Sequence, residues 1–136
     1  MIKDGGRLIQ LRREWNGVRD RQESFRKNVV FAFARGAMNT GNLAGPIYSL
    51  LLLYAFATLQ NVLLEIRDQG TFSSRAELGE LFKGSKSKLP WIDYDLVDEG
   101  RTMRNKVAHS NFILPPMETF HYLDAIEAEL KAFGVV

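Results

Sequence analysis

The sequence contains no cysteine and only two histidines. The missing thiols exclude disulfides, thiolate catalysis and thiolate-bound metal sites. Two histidines without a dense carboxylate cluster leave little for a structural zinc site, so we expect any chemistry to need neither a metal nor another cofactor. An apolar N-terminal run of signal-peptide length is also missing, and the default expectation is therefore a cytoplasmic protein.

What the sequence does contain is the composition of a globular protein. Of its 136 residues, 46% are hydrophobic and 25% are charged, and a chain of this size can bury a core without covalent staples. We therefore predict one domain covering residues 1–136. The net charge of +2 permits contact with phosphate without requiring it.

Apolar residues recur at helical spacing along most of the chain, and no strand-like alternation of useful length is present. Residues from Arg7 to Ala34 predict a long amphipathic helix with an arginine-rich, solvated polar face. The glycine- and asparagine-rich run from Gly36 to Pro46 predicts a loop. A second helix should then begin near Pro46, reach about Asp68 and end at Gly70.

The stretch from Ile47 to Ile66 is about as long as a bilayer requires. It contains polar residues, however, namely Ser49, Thr58, Gln60, Asn61 and Glu65. This mixture favours the central helix of a core, which can be apolar all round. A membrane-associated helical protein is the less favoured alternative.

Three shorter helices are predicted in the second half of the chain. Ser74 and Glu77 have capping-box spacing before a short helix to about Phe82, and the basic run Gly84–Lys88 should be a flexible linker or a phosphate contact. Asp93 is expected to cap a fourth helix, with Ile92 packed on Val97.

A last helix should run from the two prolines at 115 and 116 to a glycine at 134. The whole pattern predicts an all-α, up-and-down bundle of four to five helices.

The fourth helix contains the stretch RTMRNKVAHSN, residues 101–111. At about 100° per residue on a helix, one stripe faces the core and is formed by Leu96, Gly100, Met103 and Val107. Arg104 lies roughly 70° from the middle of this stripe and His109 roughly 150° from it. We therefore predict that His109 points away from the bundle.

Two interpretations of these basic residues remain open. They can be cations that stabilise the negative end of the helix dipole, or Arg104 and His109 can act together on a phosphate. The second interpretation requires either a break in the helix near residue 108 or a second copy of the helix across a two-fold axis. Asn105 shares a face with His109, so it could orient the imidazole.

Residues Arg104 to His109, RNKVAH, resemble the R-x4-H motif of the HEPN superfamily, including the asparagine directly after the arginine. The short helical chain, with the motif before its last helix, is also similar to HEPN domains. The resemblance implies a metal-independent endoribonuclease that works as a homodimer, with His109 and Arg104 as catalytic residues and Asn105 as the supporting polar residue. It equally allows a non-catalytic module that binds RNA, a nucleotide or a protein.

The same resemblance implies a toxin or defence ribonuclease, partnered by an antitoxin such as a small nucleotidyltransferase, that leaves a 2′,3′-cyclic phosphate. The chemistry is consistent with the residues present. Imidazoles as a class titrate near neutrality and can move the protons, while arginine offers fixed donors to a phosphoryl group. Arg101 and Lys106 are further candidates for RNA contacts, and His121 is a weaker candidate for a second catalytic imidazole.

Overall fold

A computed structural model describes the backbone of residues 1–34 and 40–136 and the side chains outside residues 28–45. Within these ranges the chain forms five α-helices and no β-strand. The helices are α1 (Gly5–Ala34), α2 (Thr40–Asp68), α3 (Leu78–Ser85), α4 (Tyr94–His109) and α5 (Pro116–Ala132). The predicted all-α helical bundle is confirmed.

Helix α2 is the central element of the bundle. It packs against each of the other four helices, and α4 also packs against α5. Its fully buried residues include Leu51, Leu52, Phe56, Leu59, Leu63 and Ile66. Because apolar residues occupy several sides of α2, burying them requires neighbours on more than one side, and the other helices supply these neighbours.

The apolar stretch of α2 also meets the simplest requirements for a membrane span. Residues Pro46–Asp68 are long and apolar enough, with a mean hydropathy of 1.7, and 56% of the tested window is buried within the bundle. A core helix of a soluble protein meets the same requirements, so one such helix is weak evidence for a span. The burial agrees with the core position predicted for this stretch.

The predicted start of α2 at Pro46 is wrong. The helix already begins at Thr40, and Pro46 lies inside it on an exposed face. Local glycine and proline preferences are weak compared with the packing of a whole helix. The remaining part of the predicted loop, residues 36–39, lies outside the described residues. The predicted end is confirmed, because α2 stops at Asp68 and Gly70 adopts a φ of 95°.

The predicted capping box before α3 is also wrong. Helix α3 begins at Leu78, its N-cap residue Glu77 makes no side-chain cap, and the Ser74 hydroxyl donates to the carbonyl of Arg75. Burial of Leu78 and neighbouring residues sets the start of the helix instead. The helix runs to Ser85, so the first part of the predicted basic linker is helical. Gly84 is closely packed there, since a Cβ on it would lie 2.8 Å from the Ser73 carbonyl oxygen.

The start of α4 is tied to α5 by a buried carboxylate. Asp93 caps α4 as predicted, since its Oδ1 accepts from the backbone N–H of Leu96 at 3.1 Å. The expected packing of Ile92 on Val97 is wrong, because Ile92 is 66% exposed. Instead, Glu129 of α5 is buried and accepts the backbone N–H groups of Ile92 and Asp93 at 2.8 and 2.7 Å.

Candidate active site

A close approach of three helices positions α4. Gly100 is buried, and a Cβ there would lie 2.9 Å from Cδ1 of Tyr122 on α5 and 3.2 Å from Cζ of Phe56 on α2. The predicted stripe follows the same side, because Leu96, Met103 and Val107 are partly buried against the core. The opposite faces of α4 are therefore left for polar side chains.

Helix α4 continues without a break to His109. Ser110 then turns into extended backbone with φ −146° and ψ 173°, and its N–H donates to the Lys106 carbonyl at 3.0 Å. His109 is exposed, as the helical wheel predicted. A break near residue 108 is absent, so this chain does not bring Arg104 and His109 together by that route.

Arg104 is half-buried near the end of α4. Its Nη1 donates to Oδ1 of Asn105 at 3.1 Å, and this is the hydrogen bond that its side chain makes among the described residues. Its Nε is buried and has no hydrogen-bond partner there. No carboxylate pairs with Arg104 in the described part of the chain, and the undescribed side chains of residues 28–45 include no Asp or Glu.

Asn105 therefore supports a different residue from the one expected. The shared helix face suggested a contact with His109, but within the described ranges Asn105 bonds to Arg104 and no hydrogen bond joins it to the imidazole. The arginine and asparagine of the motif form one unit, and His109 stands apart from it.

Arg101 and Lys106, the two further candidates for RNA contact, differ in the contacts that their side chains make. Arg101 donates from Nε to Oδ1 of Asp98 at 2.7 Å, and its guanidinium lies 5.7 Å from the Phe82 ring. Lys106 is exposed, and its Nζ lies 5.7 Å from the ring of Phe112. Arg101 thus already has a carboxylate partner, whereas Lys106 forms no ion pair with any described residue.

Charge is divided along α4. Its first half contains the acidic residues Asp95, Asp98 and Glu99 and one cation, Arg101, which is paired with Asp98. Its last turns contain Arg104, Lys106 and His109 and no acidic residue. This order matches the helix dipole. It therefore supports the interpretation that the basic residues stabilise the negative end of the dipole.

Two tyrosines beside the acidic half of α4 have raised pKa values. Burial raises the pKa of Tyr94, with a further increase from Asp98 that Arg101 offsets. Burial also raises the pKa of Tyr122, and Glu99 and Glu118 add to the increase. Both phenols therefore stay neutral at physiological pH.

His121 does not join the motif. It is exposed on α5, 6.0 Å from the Tyr122 ring between centroids. In the described residues no hydrogen bond links it to Arg104, Asn105 or His109. Those residues also contain no group of three or more His, Cys, Asp or Glu arranged to hold a metal ion.

The segment after α4 was not singled out from the sequence. Buried Ser49 of α2 clamps it: the Leu114 N–H donates to the Ser49 hydroxyl at 3.0 Å, and that hydroxyl donates to the Leu114 carbonyl at 3.4 Å. The clamp leaves Phe112 and Ile113 partly exposed beside α2. The sequence signal that could have indicated this segment is the pair of large apolar residues, Phe112 and Ile113, soon after the polar motif.

Comparison with known proteins gave no match to any family model, curated protein or solved structure. The resemblance to HEPN domains therefore stays a prediction that rests on the residues of the motif.

Proposed function

We propose that this chain is a HEPN-type endoribonuclease that cuts single-stranded RNA without a metal ion, as a cytoplasmic homodimer. The observation that carries the proposal is the state of Arg104, which has an asparagine partner, no carboxylate among the described residues, and a buried Nε without an acceptor. A buried donor left without an acceptor costs about 1–3 kcal/mol. Because Nε is closed to solvent, an external phosphate would bind the outer Nη nitrogens of this guanidinium, which are not buried.

The proposed reaction is a transesterification within the RNA. The ribose 2′-OH loses its proton and attacks the adjacent phosphorus, and the bond from phosphorus to the 5′-oxygen breaks. The leaving oxygen takes up a proton, so the products are a 2′,3′-cyclic phosphate and a 5′-hydroxyl. His109 transfers one of these protons, Arg104 neutralises the phosphoryl oxygens, and Asn105 holds the guanidinium in place.

The geometry of α4 supports the proposed homodimer. Because the helix is unbroken to its last residue, Arg104 and His109 of one chain diverge. A second copy related by a two-fold axis would bring both motifs to one cleft. The wider role proposed, a toxin or defence enzyme with an antitoxin such as a small nucleotidyltransferase, rests on the resemblance alone.

The test is cleavage of single-stranded RNA by the purified protein in excess chelator. His109→Ala should lower the rate by about 10²–10⁴-fold, the usual size of a general acid–base contribution. His121→Ala is the matched control, since it removes the other histidine, which is exposed on α5. Arg104→Ala should cost about 10²–10³-fold, and Arg13→Ala removes an exposed arginine of α1 as its control.

Two results would contradict the enzymatic proposal. One is a parent protein that leaves RNA intact under these conditions. The other is a His109→Ala variant that cuts as fast as the parent, because the activity would then come from another group or a contaminant.

A non-catalytic module is the second candidate, favoured by the charge order along α4. Lys106 and His109 lie in the last turn of α4, where the helix dipole favours cations without any reaction. Such a module would bind RNA, a nucleotide or a protein through the same surface. Binding that persists in Arg104→Ala and His109→Ala, together with no cleavage by the parent, would support it.

A further inference from the structure

An open cavity of about 390 Å³ lies between α2 and the segment that follows α4. This volume is near the lower end of the range of about 300–1,000 Å³ for small-molecule sites. Its lining residues include Pro46, Leu50, Val107, Asn111, Phe112 and Ile113. In the chain, His109 stands between Val107 and Asn111, so the cavity belongs to the same end of α4 as the motif.

The described lining is mainly apolar and includes one amide side chain, that of Asn111. Leu50 and Ile113 are 50% and 53% exposed, and the ring of Phe112 is 39% exposed. Ser49 also borders the cavity, but its hydroxyl is already bonded both ways to Leu114. Among the described lining residues, Asn111 is therefore the side chain that offers a donor and an acceptor to a ligand.

The charge at the cavity is of one sign. None of its described lining residues is acidic, and Lys106, although not part of the lining, places its Nζ 5.7 Å from the ring of the lining residue Phe112. The ligand that matches this arrangement has a flat apolar face, a hydrogen-bonding edge and a nearby negative charge. A nucleotide within a single strand has all three features.

We propose that this cavity binds one base of the RNA strand next to the phosphate engaged by Arg104. The base stacks on Phe112, Asn111 bonds to its edge, and Lys106 contacts the adjoining phosphate. This inference rests on the proposed function, since it names a base-selecting subsite of that ribonuclease. The cavity thus makes binding, and the position of cleavage, depend on the base.

The test measures binding of the four nucleoside 3′-monophosphates, which cannot be cut, with inorganic phosphate as the reference. The parent should bind at least one nucleotide more tightly than phosphate and should rank the four bases. Phe112→Ala should weaken binding of the preferred nucleotide about five- to 150-fold, the usual range for loss of one stacked base. Asn111→Ala should reduce the differences among the four.

Met117→Ala is the matched control, because Met117 is 77% exposed and lies outside the cavity lining. Circular dichroism of each variant verifies that it remains folded. Equal binding of all four nucleotides and of phosphate by the parent would overturn the inference. So would a Phe112→Ala variant that changes the oligomeric state but not nucleotide binding, since protein would then cover the cavity.

The two proposals fail in different ways. Base-dependent binding by a parent that does not cut RNA would remove the enzymatic proposal and leave the base site in place. Cleavage that is insensitive to the base, with Phe112→Ala as active as the parent on every sequence, would remove the base site and leave the enzyme.

Discussion

Arg104 and Asn105 of the motif bond to each other: Nη1 of the arginine donates to Oδ1 of the asparagine at 3.1 Å. Neighbouring residues point to different sides of a helix, so this bond has to be made around the helix surface. Because the acceptor belongs to a neutral amide, the bond orients the guanidinium without cancelling its charge. A carboxylate at the same position would orient the guanidinium and neutralise it as well.

The first prediction is that Asn105→Asp weakens the proposed RNA binding more than Asn105→Ala does. The aspartate should pair with Arg104 and remove one phosphate contact, which lowers the slope of log K against log salt by about one unit. Affinity at low salt should fall by about tenfold. Fluorescence anisotropy with a labelled single-stranded RNA at several salt concentrations measures both quantities. Equal affinity and slope for the two variants would contradict a role for this pair.

The second prediction concerns the acid stability of the contact between α1 and α5. Burial raises the pKa of Glu127. Hydrogen bonds from Trp15 and Arg19 and the charge of Arg19 lower this pKa by more than burial raises it, so the net pKa is below its ordinary value of 4.5. A lowered folded-state pKa means that the stabilisation is present above the unfolded-state pKa and is lost as the pH falls through the folded-state pKa.

Thermal unfolding between pH 7 and about pH 3 measures this effect. Glu127→Gln should lower the free energy of unfolding by about 0.5–1 kcal/mol at pH 7, because the ion pairs are partly exposed. The difference from the parent should shrink below about pH 4.5. Glu118→Gln, at an exposed position of α5, is the control. A Glu127→Gln difference that stays constant down to pH 3 would refute the assignment.

The third prediction concerns the clamp that holds the segment after α4. Ser49→Ala leaves the N–H and carbonyl of Leu114 without their hydroxyl partner in a buried position. Leaving buried polar groups unsatisfied costs about 1–3 kcal/mol, so the free energy of unfolding should fall by that amount. Amide hydrogen exchange should increase in residues 110–114.

Ser24→Ala is the matched control, because Ser24 is exposed on α1. Chemical denaturation gives the stability difference, and mass-resolved hydrogen exchange locates it. If Ser49→Ala is as stable as Ser24→Ala, the clamp does not stabilise the fold.

Local sequence signals predicted the features that depend on local chemistry. Gly70, which has a positive φ, follows the end of α2 at Asp68. Asp93 caps α4 by accepting the N–H of Leu96. Hydrophobic periodicity likewise placed the buried side of α4 and the exposed His109, because a continuous helix fixes the angle between residues. These features require no knowledge of the other helices.

The features that were missed depend on contacts between distant parts of the chain. The hydroxyl of Ser49 bonds to Leu114, and the carboxylate of Glu129 bonds to the backbone at Ile92. Neither contact can be recognised from the spacing of residues in the sequence, because the partners lie far apart along the chain. The same holds for Asn105, since a helical wheel shows which residues share a face but not which partner a side chain selects.

The last prediction tests whether close packing positions the motif. At an open position inside a helix, Gly→Ala stabilises by about 1 kcal/mol through helix propensity. At Gly100 the new Cβ would lie 2.9 Å from Tyr122 and 3.2 Å from Phe56, both rigid aromatic rings. Overpacking of this kind costs about 1–3 kcal/mol, so the net effect on the free energy of unfolding should be destabilising, by about 0–2 kcal/mol.

Gly17→Ala is the internal control for this prediction. Gly17 also lies inside a helix, but its added Cβ meets only the flexible Nη1 end of Arg21, at 3.0 Å. Thermal melts should rise for Gly17→Ala and fall for Gly100→Ala. The proposed RNA cleavage should also be slower in the Gly100 variant, because the displaced α4 moves Arg104 and His109 together. A Gly100→Ala protein that melts as high as Gly17→Ala would mean that the helices separate at no cost, and that this contact does not position the motif.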